Sequence, residues 1–381
     1  MTIAGLVHAL HDGYTDAVYV FLPVWQVEFG LSYGFLGLLK GIYSATMATL
    51  QMPSSLAGER CGVRLALALG TALAAMGYMT AGYTSGMLGL CAALVLSGVG
   101  SSVQHPIGST AVSRAFAGNA RQVLRVYNFS RDLGKVALPA AASFLMMLVS
   151  WRSAAWSIAG IGCAVVAAIL IFMPGTTKHS STGRAETAPH EGTSVQRGFT
   201  YLLFIGIFDA AVRVGLLTFL PFVLKTKGAT LPTIGIAFAM IFSGGAIGKF
   251  ACGWVGARFG VLRTVILTEA GTAVTILLVL ALPLTFGLCV LPLLGSLLNG
   301  TSSVLYGTVP EISPQGRTAH FFALFYTGIS GTGALAPALY GVLGDAVGTS
   351  WSVAATAITA LATIPFAFAL DRHLSDRHQS L

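Results

Sequence analysis

The chain has 381 residues, 55% hydrophobic and 9% charged, with 21 Lys and Arg against 13 Asp and Glu for a formal net charge of +8. Ordinary soluble domains carry roughly 25% charged residues, so this composition excludes a water-soluble globular enzyme; a lipid-facing surface, by contrast, needs no charge. At roughly 20 apolar residues per span, there is room for about twelve membrane helices and for no separate catalytic or nucleic-acid domain.

In chain order, spans are predicted near residues 5–27, 34–56, 64–83, 87–112, 123–149 and 153–173. Six more are predicted near 199–224, 232–253, 261–282, 286–308, 319–343 and 350–370. The first begins without a basic leader or cleavage site and reads as a retained helix rather than a signal peptide. Between the two sets, residues 175–198 are rich in Ser, Thr, Gly and charge and read as a cytoplasmic linker. The expected fold is therefore an all-α membrane protein of twelve transmembrane helices. It divides into an N-terminal six-helix bundle, 1–174, and a C-terminal one, 199–381. Cys61, Cys91, Cys163, Cys252 and Cys289 are dispersed without a C-x-x-C pair, so neither disulfides nor structural zinc are expected.

The two bundles repeat each other. Phe21-Leu22-Pro23 returns as Phe219-Leu220-Pro221, Gly37 as Gly235, and Gly58, Arg60 and Gly62 as Gly256, Arg258 and Gly260, all displaced by 198 positions. Leu138-Pro139 faces Ala336-Pro337 at the same offset, and Ser101-Ser102-Val103 recurs as Ser302-Ser303-Val304 displaced by 201. One spacing shared by several spans and a loop indicates an internal duplication. Six helices per repeat give both halves the same orientation, as parallel repeats.

Basic residues outside the spans set the orientation. On one side lie Arg60, Arg64, Arg114, Arg121, Arg125, Lys178, Arg184, Arg197, Arg258, Arg263, Arg317, Arg372 and Arg377; on the other only Arg152, Lys225 and Lys227. Both termini and the linker are thereby expected in the cytoplasm, with the protein in a bacterial inner membrane. Lys40, Arg131, Lys135, Arg213 and Lys249 fall within spans, where an unpaired charge costs several kcal/mol.

Six plus six helices, a long central loop and the segment Gly58-Glu59-Arg60-Cys61-Gly62-Val63-Arg64 after the second span resemble the major facilitator superfamily. Its loop motif there runs G-x-x-x-D-R-x-G-R-R. This copy has Ser55 at the first Gly, Glu59 at the acid and Val63 at the first terminal basic position, and the copy at Gly253 to Arg263 has Ala257 at the acid. Within the superfamily the chain resembles the fosmidomycin-resistance-like branch of efflux proteins. That likeness is carried by His8 and Asp12, Gly30-Leu31-Ser32, Gln51, and Gly98 to Pro106 including Gln104-His105-Pro106. Arg131, Asp132 and Lys135 stand where that branch is expected to have small or uncharged residues. The resemblance implies that spans 1, 4, 7 and 10 line a central cavity, with 2, 5, 8 and 11 beside them.

The polar residues fall on stripes. His8, Asp12, Asp16 and Tyr19 follow steps of four, four and three along the first span, which stack side chains on one face. Asn128, Arg131, Asp132 and Lys135 share a face of the fifth span; Asp209 and Arg213 lie one turn apart in the seventh; Gln104, His105, Asn299, Ser302, Ser303 and Tyr306 come from the fourth and tenth. One acid cannot neutralise both Arg131 and Lys135. Either Asp12 or Asp16 reaches them, or the surplus charge binds an anion. Arg131, Asp132, Lys135, Asn128, Asp209, Arg213, Tyr19, Gln104, Asn299 and Tyr306 are the expected substrate residues, although Asp209 and Arg213 alone make an ordinary intrahelical ion pair. Asp12 and Asp16, with His8 and His105, are the expected proton sites, because a carboxylate whose surroundings alternate between wet and dry changes its proton affinity with conformation. His105 beside Pro106 has a structural alternative, capping carbonyls freed by the proline. A metal site from His8, His11, Asp12 and His105 would need geometry across helices, and none is expected. Lys40 and Lys249 lie near span ends, where they can snorkel. Glu59, Arg60, Arg64, Arg258 and Arg263 are the expected gate residues. Gly98 to Ser102 and Gly328 to Gly333 read as helix-packing stretches, and no phosphate-cradling loop occurs, which leaves no ATP-driven pump in this chain.

The expected function is secondary active transport by alternating access: proton-coupled export of a small organic, anionic or amphiphilic, compound. Its alternative is proton-coupled import of an organic acid. The rival from another class is a membrane-embedded enzyme using His105 and Asp12 as acid and base, for which no nucleophile or metal motif is present. No cofactor is called for. The expected partners are the substrate, protons and the bilayer, not nucleic acid, and the expected state is a monomer.

Overall fold

A computed structural model describes residues 1–116, 120–174, 193–314 and 317–379. The linker expected at 175–198 lies mostly outside the described residues. All elements among them are helical: α1 (Thr2–Phe29), α2 (Tyr33–Cys61), α3 (Val63–Tyr83), α4 (Met87–Ser101), α5 (Ser109–Ala115), α6 (Ala120–Leu148) and α7 (Trp151–Phe172). There follow α8 (Thr193–Thr226), α9 (Leu231–Phe259), α10 (Val261–Ala281), α11 (Leu284–Ile312), α12 (Thr318–Val347), α13 (Thr349–Leu361) and α14 (Thr363–Gln379). A π-helical turn, Gln104–Gly108, joins α4 and α5 into one rod, and α13 runs into α14. The helices thus form the twelve predicted rods.

Nine of these rods are long and apolar enough to cross a membrane on composition alone. The remaining three are α1, α2 and α6, which carry His8, Asp12 and Asp16; Lys40; and Arg131, Asp132 and Lys135. Outward-facing Leu88, Ile171, Phe172, Trp351 and Ile358 are exposed, as a lipid-facing surface requires.

The chain forms two compact units, Met1–Thr182 with Ala229–Ala239, and Gly183–Gly228 with Met240–Leu381. In the first, α1 packs on α6 and α3 on α4 and α7. In the second, α8 packs on α12 and α13, and α10 on α11. The repeated Gly-x-Arg-x-Gly segments end in equivalent turns: Gly62 and Gly260 have φ of 85° and 82° with extended ψ, a region essentially reserved for glycine.

The π-turn has a local cause. Pro106 brings no N–H and a ring that crowds the preceding turn, so the hydrogen-bond register widens there. The Ser109 hydroxyl donates to the His105 carbonyl.

The seam between α1 and α6 depends on glycine. A Cβ at Gly134 would lie 1.9 Å from the Ala9 carbonyl oxygen, and one at Gly13 would lie 2.8 Å from Leu138 Cβ. Backbones this close set Lys135, next to Gly134, directly against the polar stripe of α1. Gly134→Ala is expected to lower stability by about 1–3 kcal/mol through overpacking, read as a lower melting midpoint in detergent. Gly160→Ala, where an added Cβ meets nothing within 4 Å, is expected to leave the midpoint unchanged.

Candidate functional site

The polar faces of α1 and α6 meet inside the first unit. Lys135 Nζ lies 3.5 Å from Asp12 Oδ1 and 3.2 Å from Asp16 Oδ2. Arg131 Nε lies 3.7 Å from Asp132 Oδ1. Asp12, Asp16 and Asp132 are buried, while the Arg131 and Lys135 side chains are about a quarter exposed. A cation of the fifth span, Lys135, thus faces carboxylates of the first.

Lys40 corrects the sequence reading more sharply. Instead of snorkelling, it is 1% exposed, donates to the Thr15 carbonyl at 2.9 Å, and lies 4.3 Å from the centre of the Tyr19 ring. Tyr19 is accordingly a cation–π partner of Lys40. Three acids, Asp12, Asp16 and Asp132, and three cations, Lys40, Arg131 and Lys135, sum to zero when all are ionised.

His8 completes this arrangement. Its Nδ1 lies 3.1 Å from the Tyr127 carbonyl oxygen, which can only accept, so Nδ1 carries a hydrogen. Its Nε2 lies 3.2 Å from Asp12 Oδ2, and among the described residues neither atom has another hydrogen-bond partner. The Tyr127 ring stacks on His8 at 4.1 Å, and Gln104 Nε2 donates to the Tyr127 hydroxyl at 2.8 Å. His105, carried by the π-turn, meets His8 edge-on at 5.5 Å.

His8, Asp12 and His105 each offer a ligand atom within 4.8 Å of the others, the donor set of a transition-metal site. Lys135, 3.5 Å from Asp12, already places positive charge there and opposes a divalent ion. His11, considered as a fourth ligand, turns elsewhere: Nε2 lies 3.0 Å from Thr71 Oγ1 and Nδ1 3.4 Å from Ser101 Oγ. Tyr43 ties Ser101 and Thr15 into the same knot at 2.8 and 2.9 Å.

The other expected site residues are dispersed. Asn128 is exposed. Asn299 donates to its own helix at the Gly295 carbonyl, 3.1 Å away, and Tyr306 packs edge-on against Phe325. Asp209 and Arg213 form the predicted intrahelical pair at 3.6 Å. Sequence reasoning missed Glu269, Thr301 and Tyr127, which join the buried networks. Of the expected gate residues, Arg60, Arg64, Arg258 and Arg263 are exposed, and the Arg258 guanidinium lies 5.4 Å from the Trp254 ring centre. The Glu59 side chain lies outside the described residues.

Two helical halves, equivalent glycine turns and a buried charge network define a membrane transporter. The family model of the Major Facilitator Superfamily matches residues 4–201 and again 202–380, and the chain belongs to that superfamily. It is 24% identical over 397 aligned positions to the uncharacterized MFS-type transporter YfnC of Bacillus subtilis (strain 168), an alignment covering 99% of this chain and 94% of that one. Its fold resembles the crystal structure of a bacterial homolog of the human lysosomal transporter Spinster in an inward-facing, unoccupied conformation, with a TM-score of 0.80 and 15% identity over 98% of this chain and 97% of the other. The nucleoside transporter NupG gives a TM-score of 0.77 at 11% identity, over 97% and 98% of the two chains.

The position of Lys40 has a direct check. Lys40→Met removes a charge-assisted hydrogen bond and is expected to cost about 1.5–3 kcal/mol; a snorkelling lysine would leave the melting midpoint unchanged within about 0.5 kcal/mol.

Proposed function

We propose that this protein is a proton-coupled transporter of a small organic compound, anionic or amphiphilic, working by alternating access, and that it lies in the fosmidomycin-resistance-like branch of its superfamily. The branch is supported by position: His8, Asp12 and the Gln104-His105-Pro106 turn, which carry that likeness, are the residues that gather around the buried acid.

A hydrogen count at His8 and Asp12 carries the coupling. With Nδ1 committed as a donor to Tyr127, a neutral His8 would present a lone pair at Nε2 to the carboxylate of Asp12, 3.2 Å away. Two acceptors at that separation repel, whereas one proton between them makes an attractive contact. The groups facing this proton are Lys135 and Arg131 from α6, Asp16 from α1 and His105 from the π-turn. A carboxylate held by Lys135 in one conformation and by a proton in another is a coupling site in physical terms: each occupant changes the cost of the other.

The same count favours a direction. The six charged side chains sum to zero without the proton, so the protonated cluster carries one positive charge in excess. An organic anion bound beside Arg131 or Lys135 restores neutrality, and proton and anion then stabilise each other. That linkage supports co-transport, with the anion drawn inward along the proton gradient. It favours the organic-acid importer over the exporter expected first from sequence, so likeness to an efflux branch does not carry the direction of transport; an exporter exchanging against protons needs the opposite sign of linkage.

Proteoliposomes with an inward proton gradient, offered a panel of radiolabelled organic acids, are expected to accumulate one class. Asp12→Asn is expected to abolish gradient dependence while keeping exchange of label across the membrane. Gradient-driven accumulation that persists in Asp12→Asn would remove the role of this residue, and acid-driven release from preloaded vesicles would restore the exporter.

A further inference from the structure

The second unit contains a buried acid pair unused by this coupling scheme. Asp209 on α8 is 3% exposed and Glu269 on α10 2%. The two carboxyls lie within hydrogen-bonding reach of each other. A hydrogen bond between two carboxyl groups needs a proton on one of them, since both ionised forms are acceptors only.

Thr301 Oγ1 lies 2.8 Å from both Thr268 Oγ1 and Glu269 Oε1. The Thr301 hydroxyl donates to this Glu269 oxygen, and the Thr268 hydroxyl reaches back to the Thr264 carbonyl at 2.9 Å. Charge balance agrees: Arg213, 3.6 Å from Asp209, supplies one positive charge for two carboxyls. From α11 the pair meets Thr301, and α14, which packs on both α8 and α10, carries Asp371, Arg372 and His373, with His373 against Gly198 near the start of α8, about three turns from Asp209. The helix α13 contains no ionisable side chain, and Tyr340 of α12 directs its hydroxyl to Thr359 at 2.7 Å.

The internal repeat separates this site from a packing feature. Displaced by 198 positions, Asp209, Glu269 and Arg213 correspond to His11, Thr71 and Thr15. His11 and Thr71 also touch, at 3.0 Å, and the knot they form with Ser101 contains no carboxylate. The contact between these two positions is therefore common to both halves and can be made without acids. Two acids and a cation at the same place in the second half add a chemistry that packing does not require.

We propose that Asp209 and Glu269 form a second proton-binding site, distinct from His8 and Asp12, holding one proton between them beside Arg213. Loss of that proton leaves two negative charges facing the guanidinium and draws Arg213 inward; gain of it loosens Arg213, whose side chain is 23% exposed, for an incoming anion. The site rests on contacts within the second unit and does not depend on the reading of α1 and α6.

Infrared difference spectra of the purified full-length protein in lipid, between acidic and alkaline buffer and in H2O and D2O, test it. The expected result is a protonated-carboxyl carbonyl band that persists in Asp12→Asn and disappears in Glu269→Gln. Thr301→Val, which removes the hydroxyl facing Glu269, is expected to shift that band and keeps the test open if Glu269→Gln does not fold. A band kept in Glu269→Gln and lost in Asp12→Asn would overturn this site while supporting the first; absence of such a band from the wild type, or one unmoved by Thr301→Val, would also overturn it.

Discussion

An ionised side chain inside a bilayer must be met by opposite charge or by a proton, because the surrounding hydrocarbon offers neither water nor counterion. Much of the first unit can be understood from that constraint. Lys135 comes from a helix too polar to cross a membrane on composition alone, and it is balanced by Asp12 and Asp16 from another such helix. Their meeting depends on backbone proximity at Gly134 and Gly13. The third polar helix, α2, contributes Lys40, held by a carbonyl and an aromatic face rather than by water. The three helices with the weakest membrane signal are thus those that carry the charge network.

The duplicated architecture has diverged in chemistry while keeping its frame. Equivalent glycines turn the chain after α2 and α9, and equivalent positions on α1 and α8 touch equivalent positions on α3 and α10. In one half these contacts are His11 with Thr71, in the other Asp209 with Glu269. Conversely, Asp12 and Asp16 correspond to Ala210 and Val214. Each half therefore carries its own buried acids on different faces of the repeated helix.

Span number, the repeat and the stripe of His8, Asp12 and Asp16 were legible in the sequence because hydropathy and helical spacing act along one chain. The partner of Lys135 was open between a carboxylate and an anion, since pairing across helices is invisible to periodicity. Lys40 was misplaced for a related reason: distance from a span end says nothing about whether a neighbouring helix covers the side chain. Glu269 escaped notice as a lone acid in an apolar run, yet the offset of 198 maps it onto Thr71 and could have flagged it beside Asp209. The π-turn at His105 follows from Pro106, but its consequence, an edge-on approach to His8, needs the fold.

The pairing of Lys135 with the acids of α1 carries the account, and a double-mutant cycle measures it most directly. Melting free energies of Asp16→Asn, Lys135→Met and the double variant, in one detergent at one pH, give the coupling between the two positions. A favourable coupling of about 0.5–3 kcal/mol, with the double variant more stable than Lys135→Met alone, is the result expected for charges in contact. Additive effects within about 0.3 kcal/mol would show that the two groups do not meet, and would contradict both the charge balance and the coupling built on it.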